Sequence, residues 1–221
     1  MRTFLGLTIV LGLAAIACTQ STTAPSSTTP TFTSSDAQVL AKQFANGAFN
    51  GANAGNTQST RSVTAPSAHL ASLLVRPESV TCNSSGTSCQ LFQQYTQATN
   101  CTAGGRISVT GTLSGTVSTG TLGVLGKINL SQTTSIIDWR CDGNWVANGD
   151  PYISDLGTLT MTGSHTTFSF HESGGFLATN GAARVSCQDS VTVAWDDLTA
   201  GTFTGTVTCV PGGAFNVSGS F

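Results

Sequence analysis

The 221-residue chain carries only 8 Lys+Arg and 10 Asp+Glu, a formal net charge of -2, and charged residues make up 8% of it. That inventory offers no basic patch able to neutralise a run of phosphates, which argues against nucleic acid as a partner. A hydrophobic share of 39%, with 11 Phe and 3 Trp, is too apolar for a disordered chain, and the length suits one domain once a leader and linker are subtracted.

Residues 4 to 17, FLGLTIVLGLAAIA, form a short uncharged apolar run behind Arg2. This matches the positive and apolar regions of an export signal and is too short for a bilayer-spanning stop-transfer helix. The run ends in Ala15-Ile16-Ala17-Cys18, which resembles the lipobox of bacterial lipoproteins, although Ala15 stands where Leu is commonest. The resemblance implies residues 1–17 as a cleaved signal peptide, Cys18 as the acylated first residue of the mature protein, and a cell-envelope location, at the outer membrane if the cell is Gram-negative. The alternative is ordinary cleavage after Ala17 with Cys18 left as a thiol. Several acyl chains on one Cys, at ~0.8 kcal/mol per buried methylene, exceed the marginal binding of a single chain. Residues 19–36 are a Ser/Thr/Pro tether without hydrophobic periodicity, with a root-mean-square reach of roughly 20 to 25 Å as a flexible coil.

Residues 37–79 read as helix and loop. Asp36 is a candidate N-cap, and Leu40, Phe44 and Ala48 recur four residues apart, which predicts one amphipathic helix ending near Gly47 to Gly51. A second short helical turn is expected over Ser67 to Val75, stopped by Pro77. From Val80 to Phe221 the period becomes two. Ile107, Val109 and Leu113 alternate with Ser/Thr, as do Leu159 with Met161, Phe168 with Phe170, Val191 with Val193 and Trp195, and Phe203 with Val207. The fold class expected is mainly β: an antiparallel meander with one apolar face, forming a strongly curved sheet or open barrel covered by the N-terminal helix.

Besides Cys18 there are six cysteines, an even number in an exported chain, which points to disulfides. If residues 184–195 pair with 201–209 so that Val193 faces Phe203, Cys187 falls opposite Cys209. Cys82 and Cys89 flank the turn-like hexamer NSSGTS, and Cys101 with Cys141 follows by elimination. A metal cluster lacks both C-x2-C spacing and histidines, and no cofactor or metal is expected.

His165, His171, Glu172, Ser173 and Asp155 superficially suggest a hydrolase, but there is no G-x-S-x-G elbow, and His171 has the parity of the polar face. No catalytic residue is assigned. Asp142-Gly143-Asn144 through Asn148-Gly149-Asp150 resembles a calcium loop without the terminal Glu, and also reads as ordinary turns. Asp189 shares the parity of Cys187, Val191 and Val193. A bulge that turns it outward is the simpler expectation; inward, in a cavity, it becomes a ligand-binding candidate with a raised pKa. The C-terminal Phe221, after Phe215 and Val217, resembles the closing signal of outer-membrane barrels, against which stand the six cysteines and the scarcity of Tyr.

The stretch Asn100-Cys101-Thr102-Ala103-Gly104-Gly105-Arg106-Ile107 resembles a group of uncharacterised lipoproteins of environmental bacteria that share a Cys-x-x-Gly-Gly turn entering a strand. This resemblance spans residues 80–221 and implies no activity. Three functions therefore remain: a membrane-anchored envelope lipoprotein acting as a structural or interaction module; a carrier of a small apolar ligand in a lipocalin-like sheet; and, least supported, an envelope hydrolase. A sheet filled by the helix bearing Leu40 and Phe44 would favour the first.

Overall fold

The computed structural model describes residues 29–54, 79–120, 123–141, 143–163, 165–196 and 201–221. The leader, Cys18, the first part of the tether and the helical turn expected at Ser67 to Val75 lie outside the described residues.

Helix α1 spans Ser34–Ala54. Thr33 rather than Asp36 caps it: the Asp36 N–H donates to Thr33 Oγ1 at 3.3 Å, while Asp36 Oδ2 accepts from the Thr33 N–H at 2.8 Å and from its hydroxyl at 2.6 Å. The reciprocal pair satisfies donors that the first turn leaves free. The helix also runs past its expected end. Gly47 and Gly51 are places of close approach, not stops: a Cβ on Gly51 would lie 2.5 Å from Val109 Cβ, and one on Gly47 3.1 Å from the Ile107 side chain.

Nine strands follow: β1 (Ser79–Cys82), β2 (Ser88–Asn100), β3 (Arg106–Gly120), β4 (Gly123–Ile137), β5 (Val146–Gly163), β6 (His165–Asn180), β7 (Ala183–Asp196), β8 (Thr202–Val210) and β9 (Gly213–Ser220). They form one antiparallel sheet in chain order, with β1 and β9 at its two ends and, among the described residues, no pairing that closes it. Val193 pairs with Phe203 and Cys187 with Cys209, the register anticipated from the apolar alternation.

Strict alternation sorts the side chains. In β7 the residues from Ala183 to Val193 are buried and exposed by turns, and Phe168 and Phe170 face the same buried side in β6. The opposite side carries hydroxyls: Thr96, Thr110, Thr133, Ser154, Ser173, Ser190 and Thr206 are consecutive partners across seven strands. On the buried side Phe44 of α1 meets Phe176 edge-on, with ring centroids 5.1 Å apart, and Phe49 meets Trp195 at 6.0 Å and Phe221 at 5.5 Å. Polar contacts add to these. Trp139 Nε1 donates to Gln43 Oε1 at 2.7 Å, and the side-chain amide of Gln38 both donates to the Ser218 carbonyl and accepts from the Ser218 N–H at 3.1 Å. Three disulfides, Cys82–Cys89, Cys101–Cys141 and Cys187–Cys209, tie neighbouring segments together.

Candidate functional site

One cross-strand row on the buried face breaks the apolar pattern. Tyr95, Gly111, Gln132, Asp155 and Glu172 are consecutive partners from β2 to β6, and Glu172 in turn pairs with Val191 of β7. Asp155 and Glu172 are directly opposite, which places their Cβ atoms roughly 4.5 to 5.5 Å apart. Asp189 sits two residues along β7 from Val191, diagonal to Glu172 and within roughly 7 to 8 Å. All three carboxyls are buried: Asp155 and Glu172 are 0% exposed and Asp189 3%. Asp189 thus points inward, and the outward bulge expected for it is not there. The register shift of this region lies in β5, between Asp150 and Ile153.

The polar groups around Asp155 form a short relay. Thr134 Oγ1 donates to Asp155 Oδ2 at 2.7 Å, and Gln132 Nε2 donates to the same oxygen at 3.0 Å. Gln132 Nε2 also donates to the Ala48 carbonyl of α1 at 3.1 Å, and the Tyr95 hydroxyl donates to Gln132 Oε1. Gly111 makes this geometry possible, since a Cβ there would lie 2.5 Å from Gln132 Cβ and 2.8 Å from the Tyr95 hydroxyl. One amide thereby links the Asp155 carboxyl to the backbone of the helix.

The remaining carboxyl oxygens are bare. Among the described residues Asp155 Oδ1 and both oxygens of Glu172 and of Asp189 are buried without a hydrogen-bond partner. The described cations, Lys42, Arg106, Lys127, Arg140 and Arg184, are all exposed. Burial without a counter-charge disfavours ionisation, and the like charges of neighbouring acids add to the effect. Desolvation pushes Asp155 up to about 7 against the two hydrogen bonds from Thr134 and Gln132 that oppose it. Desolvation and then the Asp155 charge push Asp189 up to about 8, and desolvation followed by Asp155 and Asp189 raises Glu172 well above the carboxylate range. Tyr95 is raised as well, by burial first and by Asp155 second.

The other candidate residues do not converge. His165, His171 and Ser173 are exposed on the hydroxyl face while Glu172 and Asp155 are buried on the other, so the sheet itself separates the elements of the hydrolase reading. His171 Nδ1 lies 3.4 Å from Thr192 Oγ1, and His165 Nε2 lies 3.4 Å from Asp196 Oδ1. In the turn that resembled a calcium loop, Asp142 lies outside the described residues, and Asn148 Oδ1 accepts from the Asp138 N–H at 2.9 Å. Among the described residues no three His, Cys, Asp or Glu side chains converge on a position a metal could occupy.

Sequence parity held a signal for this site. Glu172 follows Phe168 and Phe170 at period two, and Asp155 precedes Leu159 and Met161 with the same parity. Gln132 likewise falls between the inward Leu130 and Thr134. No family model matches this chain, and no curated protein or solved structure matches it.

Proposed function

We propose that this chain is an exported envelope lipoprotein, anchored through acylated Cys18, whose β domain is a structural or interaction module filled by its own helix. The observation that carries the second half of the reading is the burial of Leu40 at 2% and Phe44 at 0%. These side chains stand where an apolar-ligand carrier would hold its cargo.

The strands that α1 touches support a curved sheet and with it the same reading. Gly51 of α1 meets Val109 of β3, and Gln38 of α1 meets Ser218 of β9. In a flat sheet β3 and β9 would be separated by six strand spacings, roughly 29 Å. The two helix positions are about 20 Å apart along the axis. A sheet wrapped around α1 reconciles the two distances and leaves the hydroxyl-rich face outward. The surface hollow between β2 and β3 has Gln94, Thr96, Thr110 and Thr112 in its walls, the wrong chemistry for an apolar cargo.

The test is native mass spectrometry of the detergent-extracted protein. Acyl mass on Cys18, three disulfides and no co-purifying small molecule are expected. An unmodified Cys18 overturns the anchor, and a stoichiometric apolar molecule turns the domain into a carrier.

A further inference from the structure

We propose that Asp155, Glu172 and Asp189 form a proton-operated latch beneath α1: protonated, they allow the helix to seat on the sheet, and ionised, they repel one another and draw water under it. The latch is independent of the lipid anchor and operates in the domain wherever it resides.

The geometry has three parts. Five buried carboxyl oxygens have no hydrogen-bond partner, and two of the acids are directly opposed across one strand pair. Among the described residues no cation faces them from the elements packed around, since Lys42, Arg106, Lys127 and Arg184 are all exposed. Strand β2 presents Tyr95, β4 presents Gln132 and Thr134, and β8 and β9 present the buried Val207 and Val217. Helix α1 contributes the Ala48 carbonyl, its own charges being Asp36, held by Thr33 at the cap, and the exposed Lys42. Finally, Gln132 Nε2 joins Asp155 Oδ2 and the Ala48 carbonyl, so water or charge arriving at Asp155 acts directly on a hydrogen bond that holds the helix. A permanent cation site would need ligands that converge, and among the described residues they do not.

The direction of the effect follows from linkage. The folded-state pKa values are raised, so the native chain holds more protons than the unfolded chain from roughly pH 4 up to about 7 for Asp155 and about 8 for Asp189. Stability is therefore highest at the acid end of that window and falls as pH rises through it. With so few other ionisable groups in the chain, little is present to mask the trend.

Thermal melts and hydrogen–deuterium exchange of the purified full chain between pH 5 and 9, in metal-free buffer, test the latch. The wild type should lose melting temperature between pH 5 and 8 at roughly 3 to 5 °C per pH unit for each proton released. Exchange of the amides at residues 40–52, corrected for intrinsic chemistry, should accelerate at least tenfold over the same interval. Glu172→Gln and Asp189→Asn should each reduce both dependences by about one proton's share. A wild type with no slope overturns the latch, as does a slope that both variants retain undiminished. If 1 mM calcium or magnesium chloride abolishes the slope at pH 8, the carboxyls bind a cation and the proton mechanism is wrong. Should Glu172→Gln not fold, Asp189→Asn and the wild-type exchange profile decide.

Discussion

Glu172 occupies a fully buried position with both carboxyl oxygens unpartnered, in a row whose next members are Val191 and Gly205. An unsatisfied buried polar group costs about 1 to 3 kcal/mol. Glu172→Met, similar in length and without polar oxygens, should therefore raise stability at pH 8 by about that amount, read by urea denaturation. Gly111 carries the opposite expectation. Its substitution by Ala forces the Tyr95 hydroxyl and Gln132 apart and should cost about 1 to 3 kcal/mol, the usual range for overpacking. Of these residues Asp189 was visible in the sequence as an inward-parity acid, but a bulge was the simpler expectation for it. Glu172 stands out in the sequence only as part of a hydrolase-like group with His171 and Ser173, yet adjacency within a strand puts these neighbours on opposite faces. Only the cross-strand register, which no single segment contains, brings Asp155 beside Glu172.

At the scale of the element, α1 shows how a glycine can be required inside a helix. Ala exceeds Gly in helix propensity by about 1 kcal/mol. At Gly47 the obstruction is a side chain, Ile107, at 3.1 Å, and Gly47→Ala should leave stability within about 1 kcal/mol of the wild type. At Gly51 the obstruction is Val109 Cβ at 2.5 Å, beside the backbone and unable to swing away, so Gly51→Ala should lower the melting temperature despite the better propensity. These contacts explain why sequence periodicity located the helix and misplaced its end. Glycine reads as a stop when the partner that needs the space is unknown. The disulfides can also be ordered. Cys101–Cys141 closes 40 residues and Cys82–Cys89 closes 7. In the chain-entropy model these contribute about 4 and 2 kcal/mol. Replacing the first pair with Ser should depress the melting temperature more than replacing the second, by differential scanning calorimetry.

For the whole molecule, the alternation of apolar and hydroxyl residues was enough to announce an antiparallel meander, because a period of two on one face is what such a sheet requires. It also set the β7–β8 register, since a one-residue slip of β8 would have turned Phe203 and Val207 to the solvent side while Val191 and Val193 stayed inward. The sequence could not reveal which strand positions α1 touches, since contacts such as Gly51 with Val109 and Gln38 with Ser218 are written in no local pattern. A low overall charge is consistent with the pH response expected of the carboxyl row: the folded domain should be an acid-tolerant one, keeping its melting temperature at pH 5 and weakening toward pH 8.

The paired hydrogen bonds between Gln38 and Ser218 have a consequence for how the chain is made. Every strand pairs only with its neighbours in sequence, so the sheet can be laid down hairpin by hairpin as the polypeptide emerges. The amide of Gln38, however, imitates the next strand along the β9 edge, and its partner lies 180 residues later. Of the described elements, the first made must wait for the last. Until β9 is synthesised, β8 presents an uncovered edge, and a chain terminated between β8 and β9 would retain eight correctly registered strands yet recruit other chains to that edge.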